Sequence, residues 1–186
     1  MRIIAGYLKG RKITLPNDKY TRPLKDLTKE SIFNILQHST LLSVTLEKSK
    51  ILDMFSGVGS FGLECISRGA KKVVFLENYT EAIKILKKNI KDLSCENKAK
   101  IITKNIFNIK SLNLFEEEKF EIIFLDPPYK EKKLINLLND IISLKLLKKN
   151  GVIIIHRHKK EEEVYPKKFK ILKIKTYGIS KIIFGN

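Results

Sequence analysis

Asp126-Pro127-Pro128-Tyr129 follows the apolar run Ile122-Ile123-Phe124-Leu125, which has the length of a buried strand. A carboxylate, a proline carbonyl and an aromatic ring therefore gather where that strand must stop, because each proline fixes φ and offers no N–H. The Pro127 carbonyl is expected to face outward beside the Asp126 carboxylate. Two acceptors side by side suit an NH2 group. The exocyclic amine of a purine is a poor nucleophile while its lone pair is delocalised into the ring. If Asp126 and the Pro127 carbonyl accept its two hydrogens, the nitrogen is drawn toward tetrahedral geometry and can attack an electrophilic methyl. Tyr129 would stack on the base, a contact worth about 1–3 kcal/mol. The competing account is an ordinary strand-ending turn with an Asp beside it.

A second chemical stretch lies upstream. Ile51-Leu52-Asp53-Met54 reads as a short strand, Ser56-Gly57-Val58-Gly59-Ser60-Phe61-Gly62 as a glycine-rich turn, and Leu63 to Ser67 as a helix that stops at Gly69. Val73 to Leu76 form the next strand, ending in Glu77. The spacing of Gly57, Gly59 and Gly62 fits a nucleotide-binding loop, and Glu77, about 20 residues on, is placed for ribose hydroxyls. Glycine lets the backbone approach a ligand that a Cβ would push away. Such a loop also suits a dehydrogenase. Asp53, just before the loop, would repel a pyrophosphate but attract the ammonium of a methionine moiety, which favours S-adenosylmethionine. Asn105 and Ile106, after the strand Ile101–Thr103, are candidates for the edge and face of an adenine, with a simple turn at Asn105 as the alternative.

The remaining elements must position these groups. Residues 2–15 read as a small hairpin about Gly10, its basic rim formed by Arg2, Lys9, Arg11 and Lys12; a nucleic-acid arm and a solubilised edge hairpin both fit it. Pro16 to Pro23 form a loop containing Arg22, whose guanidinium suits a phosphate or an ion pair with Asp26 or Glu30. Asp26 is expected to cap a helix with its apolar stripe at Thr28, Ile32, Ile35 and Leu36. Thr80 is expected to cap another, carrying Ala82, Ile83, Leu86 and Ile90 inward and Lys84, Lys87, Lys88 and Lys91 outward. A helix with Leu134, Leu137, Leu138 and Ile141 follows the catalytic strand. Val152 to Ile155 form a strand without alternation, as in a parallel sheet covered on both faces. It runs into His156-Arg157-His158. The two histidines share a strand face but have no third ligand nearby, so no metal site is assigned. Phe169–Thr176 and Ile179–Phe184 close the chain as a hairpin.

The chain has 186 residues, of which 37 are basic and 20 acidic, giving a formal charge of +17. Its length fits one domain, divided here into a basic extension over 1–25 and a main domain over 26–186. No apolar run approaches the roughly 18 residues of a membrane span and no signal peptide is evident, so a cytoplasmic protein is expected. Cys65 and Cys95 suggest neither a disulfide framework nor a zinc site. The charge points to a polyanionic partner. Only five of the basic residues are arginine, and a lysine-rich bias of this kind can also reflect base composition of the genome.

Across nearly its full length the sequence closely resembles the bacterial 16S ribosomal RNA guanine-N2 methyltransferase family, named for guanine 966. The resemblance rests on Met1-Arg2-Ile3-Ile4-Ala5-Gly6 with Gly10-Arg11, on Arg22-Pro23, Asp26 and Lys29-Glu30, and on Asp53, Ser56-Gly57, Gly59 and Gly62-Leu63-Glu64. It also includes Ser67-Arg68-Gly69-Ala70, Phe75-Leu76-Glu77 and Asp126-Pro127-Pro128-Tyr129. It implies an α/β, Rossmann-like class I methyltransferase with a mostly parallel seven-stranded sheet, its last strand antiparallel, and an N-terminal hairpin and helix extension that helps grip RNA. It further implies S-adenosylmethionine as cofactor and a guanine of 16S rRNA, presented in an assembling 30S subunit, as substrate; a monomer is expected. The chain departs from the family at Leu24-Lys25, where threonines are common, at Leu27, where basic residues are common, and at the strand running into His156, which often ends in an acid. Open alternatives are an adenine-N6 DNA methyltransferase, a protein-glutamine methyltransferase, a non-catalytic RNA-binding assembly factor and a dehydrogenase.

Overall fold

The computed structural model describes residues 1–17, 24–107, 112–115 and 118–186. Its elements are α1 (Asp26–His38), β1 (Lys50–Met54), α2 (Ser60–Ser67), β2 (Lys72–Leu76), α3 (Thr80–Asp92), β3 (Ala99–Ile102), β4 (Phe120–Leu125), α4 (Leu134–Ser143), β5 (Leu147–His158), β6 (Ile171–Tyr177) and β7 (Ser180–Gly185). Among the described residues the strands form one seven-stranded sheet in the order β3-β2-β1-β4-β5-β7-β6. The first five are parallel, and β7 runs antiparallel to both its neighbours. β6 is an edge strand that exposes Ile171 and Ile174.

Strand alternation explains how both faces are buried. On one face Ile51, Val73, Phe75, Ile122, Phe124, Val152 and Ile154 pack with Ile32, Phe33, Phe61 and Leu86 from α1, α2 and α3. On the other, Leu52, Met54, Val74, Ile123, Leu125, Ile153 and Ile155 pack with Leu134, Leu137, Leu138 and Ile141 of α4. Three rings run through the first layer. Phe33 stacks on Phe61 at 5.3 Å and Phe61 on Phe124 at 4.0 Å, two residues before Asp126.

Several local expectations are corrected. Asp26 and Thr80 are the first residues of their helices, not their caps; Lys25 and Tyr79 hold those positions, and neither end has a side-chain cap bond. Asp26 instead lies 3.7 Å from Lys29 one turn on. The β5 strand is longer than the Val/Ile run because lysine-rich residues from Leu147 onward join it through a bulge. Residues 2–15 do close as a small hairpin: Arg2 and Lys12 form an antiparallel bridge, and Ile3 N–H donates to the Arg11 carbonyl, Gly10 N–H to the Ile3 carbonyl and Ile13 N–H to the Met1 carbonyl, although the pairing is too short to count as two regular strands.

That N-terminal segment gains its order from α2. Ile3, Leu8 and Ile13 enter the first core layer. The buried Glu64 carboxylate accepts the Ile4 and Ala5 backbone N–H groups at 2.8 and 2.9 Å and Arg68 Nε at 2.8 Å, with Lys29 Nζ at 3.7 Å. Lys29 also donates to the Arg2 carbonyl at 3.0 Å. Gly6, at φ 81, is pressed so closely to Ser67 that a Cβ would lie 1.9 Å from its carbonyl oxygen. Burial lowers the Lys29 pKa, and the Glu64 and Asp26 carboxylates oppose that shift.

Removing the carboxylate from this knot should leave the Ile4 and Ala5 N–H groups and Arg68 Nε without that acceptor, and the buried Lys29 ammonium with only the Arg2 carbonyl and Asp26. We expect Glu64→Ala to cost about 3–5 kcal/mol in urea unfolding, as for other broken buried ion pairs, and Glu64→Gln, which keeps one acceptor, to cost less.

Candidate active site

The carboxyl ends of β1, β2 and β4 open onto a cleft of about 320 Å³, lined by Lys25, Phe55, Gly57, Glu77, Asn78, Tyr79, Ala82, the four residues Asp126 to Tyr129, His156, Ile179 and Ser180. A narrow recess of about 30 Å³ shares Phe55, Gly57 and Asp126 with it and adds Leu24, Asp53, Ser56, Val58, Ser60, Phe61 and Phe124. Binding at the carboxyl ends of parallel strands is the general rule for open α/β sheets.

Backbone geometry shapes this end of the sheet. Phe55 takes φ 60, an uncommon conformation for a residue with a Cβ, and Gly57 and Gly59 take φ 54 and 86. The glycines serve packing as well as ligand approach: a Cβ on Gly59 would meet Leu86 at 2.5 Å, and one on Gly62 would meet the Phe75 ring at 2.3 Å. Gly62 therefore brings α2 down onto the sheet and lies off the cleft. Its N–H donates to Asp53 Oδ2 at 2.9 Å.

Three carboxylates meet here in a strongly basic chain. Burial pushes the Asp53 carboxyl well above the usual carboxylate range; the Gly62 N–H opposes that shift, while the charges of Asp126 and Glu77 add to it. Glu77 accepts Gly57 N–H through Oε2, and Asn78 and Tyr79 N–H through Oε1, each at 2.8 Å. Ser56 Oγ is buried with no hydrogen-bond partner among the described residues. An anionic floor and an orphaned hydroxyl fit a ligand carrying positive charge and polar groups, as S-adenosylmethionine does with its sulfonium and ammonium. A sulfonium activates its methyl for transfer. Asp53 and Ser56 would flank the amino-acid end of such a ligand, and Glu77, whose Oε2 holds one N–H, retains acceptor capacity for a ribose hydroxyl.

The Asp126 corner is fastened from β5. Leu125 pairs with Ile155, so Asp126 and His156 share the next position on one sheet face and Arg157 emerges on the other. Arg157, almost completely buried, donates from Nη1 to the Pro128 carbonyl at 2.8 Å and from Nη2 to the carbonyls of Tyr129 and Glu131 at 2.9 and 3.1 Å; its Nε is paired with Glu163. No described residue donates to the Pro127 carbonyl. His156 joins Asp126 and Ser180, and the Tyr129 ring meets those of His156 and His158 edge-on at 6.1 and 5.1 Å.

The structure thus brings Asp53, Ser56, Gly57, Glu77, Asp126, Pro127 and Tyr129 to one place. Asn105 and Ile106 are not on the cleft. Asn105 Oδ1 accepts the Phe107 N–H at 3.0 Å, which is the simple turn, and Ile106 is buried in the second core layer. Arg2, Lys9, Arg11 and Lys12 are exposed, with Arg11 Nη2 donating to the Asp92 carbonyl at 2.7 Å. Arg22 lies outside the described residues. Sequence reasoning missed Lys25, Phe55, Tyr79, Arg157 and Ser180 as parts of the site, and weighed His156 only as a metal ligand. The β4–β5 register could have placed His156 beside Asp126.

Strand order, crossover pattern and cleft define a Rossmann-like class I methyltransferase fold. Over residues 1–186 the chain matches the family described as Conserved hypothetical protein 95, and it belongs to that family. It is 36% identical over 187 residues to the ribosomal RNA small subunit methyltransferase D of Haemophilus influenzae, covering 96% of this chain and 90% of the relative. The protein of the same name from Buchnera aphidicola subsp. Acyrthosiphon pisum is 38% identical over 176 residues, covering 93% and 86%. The solved structure of yhhF from Escherichia coli shares the fold, with a TM-score of 0.81 at 23% identity over 100% of this chain and 96% of that one.

Because Asp53 titrates above the ordinary carboxylate value of about 4, a cationic ligand that requires it ionised should release a proton on binding. Affinity for S-adenosylmethionine should therefore weaken as pH falls through that raised range. Calorimetry in buffers of differing ionisation enthalpy should detect the proton. Asp53→Asn keeps the Gly62 contact but should bind about tenfold more weakly, with a flatter pH dependence.

Proposed function

We propose that this protein transfers the methyl group of S-adenosylmethionine to the exocyclic N2 amine of a guanine in 16S ribosomal RNA, presented within an assembling 30S subunit. The observation that carries this reading is the proline corner: Asp126 and Pro127 both line the cleft, and the Pro127 carbonyl has no donor among the described residues, which leaves it able to act as an acceptor beside the Asp126 carboxylate. The names of the similar proteins support a ribosomal RNA substrate of the small subunit.

In this mechanism Asp126 and Pro127 each accept one hydrogen of the amine and hold its nitrogen toward the methyl. Tyr129 stacks on the base. As the N–C bond forms and the S–C bond breaks, the amine gives up a proton to Asp126 or to water at the cleft mouth. The electrophile is already activated, so most of the acceleration comes from orientation. Asp53, Ser56, Gly57, Gly59 and Glu77 line or shape the cofactor end. Gly62 fixes the loop and helix behind them, and Asn105 and Ile106 are residues of the following turn. Arg2, Lys9, Arg11 and Lys12, exposed away from the cleft, together with Arg22 are the basic residues assigned to RNA phosphates.

The deciding measurement is transfer of labelled methyl groups to unmodified 30S particles and to free 16S rRNA, with the product nucleoside identified by mass spectrometry. N2-methylguanosine is expected; N6-methyladenosine would replace this reading with the adenine-directed one. Asp126→Ala should reduce transfer by roughly 100-fold or more with cofactor affinity nearly intact, and loss of both together would make Asp126 structural. Neutralising Arg2, Lys9 and Lys12 should flatten the salt dependence of RNA affinity, by roughly 0.7–0.9 in log–log slope for each phosphate deprived of its cation.

A further inference from the structure

Asp126 is the most accessible member of a three-residue chain that runs back into the sheet. His156 Nδ1 lies 2.8 Å from Asp126 Oδ1, and His156 Nε2 lies 2.9 Å from Ser180 Oγ. His156 and Ser180 are 7% and 4% exposed. Strand register accounts for the grouping. His156 pairs with Ile182 across β5 and β7, and Ser180 lies two residues from Ile182 on the same sheet face.

The direction of the hydrogen bonds follows from what each group can do. An ionised carboxylate only accepts, so Nδ1 must carry the proton that faces Asp126. In the neutral imidazole Nε2 is then a bare acceptor, and the Ser180 hydroxyl donates to it. The order Ser, His, Asp has the geometry of a hydrolase triad. Here the serine lies against the sheet at the start of β7, and the carboxylate is the member with the greater access, its side chain 20% exposed. The roles are accordingly reversed: the serine locks the imidazole, and the imidazole orients the acid.

We propose that His156 is a positioning residue for methyl transfer, which pins Asp126 Oδ1 so that Oδ2 and the Pro127 carbonyl form the paired acceptors for the target amine. This rests on the amino-methyltransferase reading above. Without the Nδ1–H donor the carboxylate is free to turn, and both of its oxygens compete for one amine hydrogen. With it, a single oxygen is left for the substrate. The proton shed by the amine, as its nitrogen gains the methyl and the sulfonium becomes a thioether, goes to Oδ2 and then to water; His156 keeps its own proton throughout.

The test uses the full-length protein with unmodified 30S particles. His156→Leu should lower kcat by about 10- to 100-fold, the loss expected of one hydrogen bond to a charged group. The KM for particles and the calorimetric Kd for S-adenosylmethionine should change less than about twofold. Asn can place an amide N–H near the position of Nδ1, so His156→Asn should recover most of kcat. Ser180→Ala should cause a smaller loss. A His156→Leu enzyme with wild-type kcat, or a His156→Asn enzyme as impaired as His156→Leu, overturns the proposal, as does covalent capture of Ser180 by a fluorophosphonate.

A readout independent of turnover separates this inference from the functional reading. Nitrogen-15 NMR of the wild-type imidazole should show the neutral tautomer protonated at Nδ1. Protonation at Nε2 alone overturns the positioning role. A wild-type enzyme that methylates no guanine, yet shows the Nδ1–H tautomer, leaves the His156–Asp126 assignment standing and rejects the guanine-directed function.

Discussion

Pairing of β4 with β5 reaches Leu125 opposite Ile155 and goes no further, since Pro127 and Pro128 have no N–H to offer a ladder. β5 continues for three residues, paired with β7 on its other side. Two side chains of that overhang therefore stand beside a corner that the prolines have forced out of the sheet. His156 reaches it from one face and Arg157 from the other. Arg157 collects carbonyls that the interrupted ladder would otherwise leave unmatched, and its planar fork serves several at once. The corner is thus ordered before any ligand arrives, which is the condition for fixed dipoles to act on a reacting group.

Much of this was readable from residue order. The alternation and apolar runs of β1, β2, β4 and β5, the glycine spacing after Asp53 and the proline corner after Leu125 are local signals, and each led to the right element at nearly the right place. The closing hairpin about Gly178 was equally plain. What escaped was decided by partners distant in sequence. Arg157 looks like one more basic residue until β4 and β5 are neighbours, and Ser180 has no distinguishing context until β7 turns back against β5. The N-terminal hairpin is legible in its strand-forming residues about Gly10; that Ile4, Ala5 and Leu8 also bond to Glu64 and Ser67 on α2 is not. Asn105 carries both readings that its residue type offers: its Oδ1 accepts a bond within its own turn, and its exposed position leaves the proposed adenine contact to be tested.

Charge is distributed against the average of the molecule. The surface carries the excess of lysine, while Asp53, Glu77 and Asp126 converge below it. Those carboxylates suit a cation and oppose a phosphate, so a nucleic acid drawn by the surface has reason to keep its backbone outside and present a base inward. Lys25 lines the mouth between the two regions. The Glu64 knot ties the basic N-terminal segment to α2, and α2 begins at the glycine loop, so the proposed RNA-facing segment and the cofactor end share one rigid support.

The open side of β6 bears on how the lysines should be counted. An edge strand leaves a row of backbone groups able to recruit another strand, and here that edge also exposes Ile171 and Ile174. Lys173 and Lys175 alternate along it. A second molecule docking edge to edge would bring like ammonium groups to within about a strand spacing, roughly 5 Å, and the repulsion discourages aggregation. Some of the positive charge thus guards solubility, and those lysines require no ribosomal phosphate to account for them.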